Sequence, residues 1–243
     1  MDELTGFGLS VLPDGSVFQP NMTSNPAIAS KLQAHALVGR VAELGSLGDY
    51  LTMLLLKPER KWSRQEVLAK PSPVPRQPGV YAWYFREIPH HVPVAGCHVH
   101  GSDTLLYVGI SPKEPSKNGF APSKQQLFDR IRYHFRGNAE GSTLRLTLGC
   151  LLSQQLGIQL RRVGSGNRMT FADGEPVLSQ WLEDNAFVVW IVDSEPWLLE
   201  ERLIGELSLP LNLDMNNKHP FHHALSQIRK SANESARALP IVA

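Results

Sequence analysis

The chain has 243 residues, 42% of them apolar, with two cysteines and a formal net charge of +1. That composition suits one large core or two modest ones, and it excludes a disulfide scaffold and a histone-like polycation. No eighteen apolar residues run together, and the acidic opening "MDELTGFGLS" lacks the basic and apolar blocks of a signal peptide, so a cytoplasmic protein with no membrane partner is expected.

Residues 1–70 read as a separate, mainly helical preface. "LSVLPDGSVFQ" predicts a hairpin turning at Pro13, Asp14 and Gly15. Residues 26–57 predict helices, with Leu32, Leu37, Val41, Leu44 and the run "YLTMLLL" supplying apolar faces. Ser63 and Glu66 form a capping box at the start of "WSRQEVLAK". Four prolines in "KPSPVPRQPG" then predict an extended linker, placed at residues 71–78.

From 79 to 243 the order of elements is clearer. "GVYAWYF" (79–85), "TLLYVGIS" (104–111) and "AFVVWIV" (186–192) predict three strands rich in aromatic and β-branched residues. Helices are predicted at 123–136, opened by Ser123 and Gln126, and at 143–156, 176–184, 194–208 and 222–237, with a hairpin in "IQLRRVGSGNRMTF". The expected fold class is α+β, a small mixed or antiparallel three-stranded sheet flanked by helices.

Polar groups on apolar faces mark the candidate site. At 100° per residue Glu200 lies close to Leu203, Ile204 and Leu207, whereas Glu201 lies at the border of that stripe. A carboxylate turned toward a core needs a partner or a cation, so Glu200 is either a metal ligand or tied to an arginine or a backbone amide. On the helix from 123 to 136, Leu127, Ile131 and His134 share a face with Arg130 on its flank, while Arg132 and Arg136 point away. Arg130 and His134 suit phosphate binding and proton transfer, or equally an ion pair with Glu200 and a hydrogen-bonded core histidine. Period-2 alternation groups Tyr81 with Trp83 and Phe85, and Tyr107 with Leu105 and Gly109. The glycine inside a strand implies close approach by another group.

Between Lys124 and Arg168 eight basic residues face two acidic ones, a local balance of +6 that fits either a phosphate-facing surface or solvated helix faces. Cys97 and Cys150 suit small buried hydrophobes. "HHVPVAGCHVH" offers His90, His91, Cys97, His98 and His100 as zinc donors, with His219 or His222, but in no recognised four-ligand spacing.

Together, "GVY" (79–81), "YVG" (107–109), the arginine of "LFDRIRYHF" and the Glu and Asn of "LEERLIGELSLPLN" resemble the GIY-YIG nuclease superfamily over about residues 78–221. The glutamate twelve positions before the asparagine of a P-L-N loop is again Glu200. The resemblance implies metal-dependent endonuclease cleavage of nucleic acid, DNA more than RNA. By position, Glu200 would hold one divalent ion, Mg²⁺ or Mn²⁺, and Arg130 would bind the scissile phosphate. Tyr81 or Tyr107 would take a proton from the attacking water. His134, which resembles restriction-enzyme members rather than the tyrosine of excision-repair members, would assist, and Asn212 would bind phosphate or fix the loop. A homodimer is expected if both strands of a duplex are cut. The sequence departs from excision-repair members at Ile110 and Ser111, where a lysine follows the glycine, and in longer loops at 86–103 and 112–122, both expected beside the site and expected to shape target choice. A non-catalytic nucleic-acid-binding module on the same fold is the alternative, with an interaction scaffold a third reading.

Overall fold

The computed structural model describes residues 10–11, 17–18, 46–115 and 123–242. The chain divides into two compact units, residues 1–50 and 51–243. In the first, β1 (Ser10–Val11) pairs antiparallel with β2 (Val17–Phe18), the pairing expected of a hairpin, whose turn at Pro13, Asp14 and Gly15 lies outside the described residues. The helices expected between 26 and 45 lie outside the described residues. Helix α1 (Leu47–Leu56) begins at the end of this unit and has its residues 51–56 in the larger one, and Ser46 Oγ accepts from the Asp49 backbone N–H at 3.0 Å in its first turn.

In the larger unit α2 (Arg64–Leu68) opens with the predicted capping box. Ser63 Oγ accepts from Glu66 N–H at 3.4 Å, and Glu66 Oε2 accepts from Ser63 N–H at 2.9 Å. The three expected strands are present as β3 (Gly79–Phe85), β5 (Asp103–Ser111) and β8 (Ala186–Val192). A two-residue edge strand, β4 (Val99–His100), joins them, and the antiparallel order is β4-β5-β3-β8. Helices α3 (Leu127–Arg136), α4 (Thr143–Leu151) and α5 (Ser153–Leu156) follow β5. The hairpin β6 (Arg161–Val163) and β7 (Arg168–Thr170) then leads into α6 (Gly174–Asn185). Beyond β8 come α7 (Pro196–Glu206) and α8 (His222–Ala238). Among the described residues no helix is long and apolar enough to cross a membrane.

Every residue of β3 is buried, because helices cover both faces of this central strand. Tyr81, Trp83 and Phe85 share one core with Leu127, Ile131, Phe135, Leu144, Leu148 and Trp181 from α3, α4 and α6. Val80, Ala82 and Tyr84 share a second core with Leu55, Leu199, Leu203 and Ile204 from α1 and α7. Each large apolar side chain so buried contributes about 1.5–3 kcal/mol, which fixes the arginine helix and the glutamate helix on opposite faces of one sheet.

Three local expectations need correction. Helix α3 starts at Leu127, not at Ser123. Gln126 occupies its N-cap, where Asp129 Oδ2 accepts from the Gln126 N–H at 3.3 Å, while Ser123 Oγ only accepts from Gln125 N–H at 3.2 Å. The helix expected at 143–156 is broken at Leu152, and α5 ends on Gly157, whose φ of 63° is left-handed and suits a residue without Cβ. Leu105 does not share a face with Tyr107. Trp83 opposes Tyr107 but Tyr84 opposes Leu105, so Leu106 is the extra residue of a β-bulge and Leu105 turns into the α7-side core.

Past residue 104 the outer edge of β5 has no strand partner among the described residues, and a side chain takes that place. Asn212 Oδ1 accepts from Val108 N–H at 3.0 Å and Asn212 Nδ2 donates to Val108 O at 2.9 Å. Leu211 N–H donates to Leu106 O at 3.1 Å. The P-L-N loop thereby closes an otherwise open sheet edge beside α7.

Candidate active site

In β3 and β5, Tyr81 stands directly across from Gly109. A Cβ built on Gly109 would lie 2.7 Å from Tyr81 Oη and 2.8 Å from its Cζ, so the close approach implied by the glycine is that of the tyrosine ring. The phenol that occupies this space has an internal partner. Tyr81 Oη lies 2.9 Å from His134 Nε2, and His134 Nδ1 lies 2.7 Å from Ser142 Oγ. Ser142 is the N-cap of α4, and its Oγ also accepts the Arg145 backbone N–H at 3.1 Å. His134 is fully buried, and desolvation, followed by the charges of Arg130 and Arg145, holds it well below the usual imidazole range. It is therefore neutral, with one ring nitrogen free to accept. Burial likewise pushes the Tyr81 phenol up, with Tyr107 beside it adding to the effect and Arg130 opposing it.

Arg130 sits on the flank of α3, as its helical position predicts. Its Nε donates to Tyr81 Oη at 3.4 Å and its Nη1 to Gly141 O at 2.9 Å. The remaining donors of its five N–H groups make no hydrogen bond among the described residues. No ion pair joins it to Glu200 there, which removes the simple pairing that the sequence left open. Glu200 itself makes no hydrogen bond or ion pair among the described residues. Desolvation pushes its carboxyl up to about 7, Lys113 and Arg130 pulling it down and Asp214 pushing it further up. An unpaired, largely buried carboxylate of this kind fits a cation, which would supply the missing countercharge.

A cavity of about 570 Å³ brings these groups together. Tyr81, Tyr107, Arg130, Glu200 and Asn212 all line it, and His134 lies behind Tyr81. Among the described residues Tyr107 makes no hydrogen bond to a histidine, although its ring meets that of His134 edge-on at 6.4 Å between centroids. Burial raises its phenol, and the Thr143 hydroxyl and Arg130 oppose the rise. Glu201 also lines the cavity but is exposed, as expected of the border of the stripe. Asn212 is buried with both halves of its amide committed to Val108, so of its two expected roles the geometry favours fixing the loop.

Other expectations distribute differently. Arg132 does point away from the cavity, but into protein, with its Nη1 donating to Val67 O at 2.6 Å. Arg145 is wholly buried against Glu175, and Arg161 and Arg162 donate to the carbonyls of Pro240 and Leu239. The basic stretch is thus no continuous phosphate-facing surface, because half of its members are internal ties. None of residues 86–103 lines the cavity, whereas Lys113 and Glu114 of the second long loop do, and residues 116–122 are outside the described residues. Of the zinc candidates, His98 Nε2 lies 2.6 Å from Leu56 O and the Cys97 thiol 3.6 Å from Ser208 Oγ. Among the described residues no group of three or more His, Cys, Asp or Glu is arranged to hold a metal. Residue-by-residue reading missed Ser142, whose only signal was its place as a cap before "TLRL", and Lys113, hidden in an insertion.

A small antiparallel sheet presenting two tyrosines, with an arginine helix on one face and a glutamate helix on the other, defines a domain built around one polar cavity. A family model described as GIY-YIG catalytic domain matches residues 79–231, more than half of the chain, and the chain belongs to that family. Membership gives a nuclease-type function in general terms, with nucleic acid as the class of substrate. Comparison with curated proteins and with solved structures gave no match.

Proposed function

We propose that the chain is a metal-dependent endonuclease that hydrolyses phosphodiester bonds of nucleic acid, with DNA favoured by the histidine that resembles restriction-type members. The observation that carries this reading is the sharing of one cavity by the unpaired Glu200 carboxylate, Arg130 and the histidine-backed phenol of Tyr81. Arg130 binds the scissile phosphate through its uncommitted donors. Tyr81 is the general base. An unperturbed phenol has a pKa of about 10 and burial raises this one, so it cannot act as a standing phenolate near neutrality. It accepts the proton of the attacking water while passing its own to His134 Nε2. That transfer needs Nε2 unprotonated and Nδ1–H donating to Ser142 Oγ, a tautomer that the buried, neutral imidazole permits.

Glu200 would hold the divalent ion, Mg²⁺ or Mn²⁺. When bound, that ion supplies positive charge for the phosphate and the leaving oxygen. Asn212 keeps the P-L-N loop that follows α7 on β5, and so braces the helix that carries Glu200. The test is incubation of supercoiled plasmid, linear duplex, branched DNA and single-stranded RNA with the protein in Mg²⁺, Mn²⁺ or EDTA. Metal-dependent cutting of at least one substrate is expected. Retention of nucleic acid without cutting in any condition would transfer support to the binding-module alternative.

A further inference from the structure

One arginine in the cavity has no part in the motifs. Arg229 comes from α8, half-buried on the flank of a face formed by Leu225, Ile228, Ala232 and Ala236. Leu225 and Ala236 are fully covered, and Ile228 and Ala232 pack on the core, so the helix and the base of the Arg229 stem are fixed. Among the described residues, other arginines drawn into the fold have protein partners: Arg132 has Val67 O, Arg145 has Glu175, and Arg161 and Arg162 have C-terminal carbonyls. The guanidinium of Arg229 has none among the described residues. Only its backbone carbonyl is used, by Asn233 Nδ2 at 2.8 Å. A cation partly withdrawn from water and left without a counter-charge has its natural complement in an anion within the cavity it lines.

The wall around it has matching chemistry. Thr143 and Thr147, four residues apart and so on one face of α4, line the same cavity; the Thr143 hydroxyl is turned to the Tyr107 phenol, and Thr147 offers a hydroxyl donor. Arg229 is near enough to α4 for its charge to act on the Cys150 thiol. Arg130 is held at the Tyr81 end by its contacts to Tyr81 and Gly141, so Arg229, entering from a different helix, is a second and separate cationic point. A polymer with a charge on every linkage supplies one anion to each. The cavity volume of about 570 Å³ is that of an ordinary ligand site rather than a crevice for a lone ion.

We infer that Arg229 is a positioning residue that grips a backbone phosphate of the nucleic-acid strand next to the scissile phosphate held by Arg130, with Thr143 and Thr147 beside it. The inference rests on the nuclease reading above. Such a contact sets register and orientation and carries no base preference.

The test is binding of fluorescein-labelled duplex DNA by fluorescence anisotropy across a salt series, in EDTA so that no strand is cut. Wild type is compared with Arg229→Gln, Arg229→Lys and Arg237→Gln, the last removing an exposed arginine of α8 that does not line the cavity. Loss of one phosphate contact lowers the slope of log Kd against log salt by about one and weakens binding about tenfold near 0.1 M salt. Arg229→Gln is expected to do both, Arg229→Lys to keep the slope, and Arg237→Gln to match wild type. Melting temperature should be unchanged in all three. Binding by Arg229→Gln with the wild-type slope overturns the inference and leaves the nuclease reading standing, as does a fall in melting temperature without a change of slope. Wild type that binds neither this duplex nor branched DNA or single-stranded RNA, with Ca²⁺ in place of EDTA as well, overturns the nuclease reading and the inference with it.

Discussion

Gly109→Ala is the sharpest probe of the way the strands assemble the site. The added methyl would meet Tyr81 Oη at 2.7 Å, Cζ at 2.8 Å and Cε2 at 3.0 Å, against a comfortable separation of roughly 3.5–4.0 Å. Tyr81 is only 1% exposed, so the ring has to retreat by roughly 0.8 Å through packed surroundings, at a cost of about 1–3 kcal/mol. The same movement stretches the 2.9 Å contact with His134 Nε2, and a misplacement near 1 Å lowers a rate about 10²-fold. Urea denaturation and single-turnover cleavage, measured on Gly109→Ala, Tyr81→Phe and the double variant, read both effects. Removing Oη takes away the nearest clash, so Gly109→Ala should cost less stability when combined with Tyr81→Phe, a coupling of about 0.5 kcal/mol or more. Wild-type stability and cleavage in Gly109→Ala, or strict additivity in the cycle, would refute the close-approach account.

Asn212→Ala removes both hydrogen bonds to Val108 and leaves a buried backbone amide unsatisfied, so it should destabilise by about 1–3 kcal/mol in urea denaturation and weaken cleavage through Glu200 placement. An unchanged midpoint would contradict the edge-closing role. In EDTA, Glu200 makes stability fall with pH. The folded-state value of about 7 lies above the ordinary 4.5, so the carboxyl contributes fully below 4.5 and that contribution is lost as pH rises to about 7. Relative to Glu200→Gln, wild type should lose about 1–2 kcal/mol between pH 4 and pH 8 once solvent screening is allowed for, and parallel pH profiles would contradict it. Arg132→Ala should lower the urea midpoint, because it strips a buried tie to Val67 O, while the folded fraction keeps cutting. Loss of cleavage at full stability would place Arg132 in the site instead.

Patterns of local origin were legible in the sequence. Helical periodicity located Glu200 on its stripe and His134 on the buried face of α3, and alternation placed Tyr81 with Trp83, since both depend only on 3.6- and 2-residue repeats. Features that depend on partners distant in the chain were not. The bulge at Leu106 arises from pairing between β3 and β5, so alternation within β5 alone misassigned Leu105. The burial of Arg132 is set by Val67 on another helix, and the closing of the β5 edge by Asn212 becomes visible only when the loop is laid against the strand. Ser142 reaches His134 because the turn after α3 brings the cap of α4 back beneath the imidazole. A one-dimensional charge count failed for the same reason, since it cannot separate an arginine that faces a cavity from one that ties two helices together.

The most direct test of the account is Mg²⁺-dependent cutting of supercoiled plasmid by wild type, Glu200→Ala, Arg130→Ala and Glu201→Ala, with circular dichroism confirming the fold of each. The account predicts cutting by wild type that EDTA stops, loss of cutting in Glu200→Ala and Arg130→Ala with the fold intact, and most of it retained in Glu201→Ala. Cutting by Glu200→Ala at the wild-type rate, or dependence on Glu201 in its place, would contradict the assignment of the cavity as the catalytic centre.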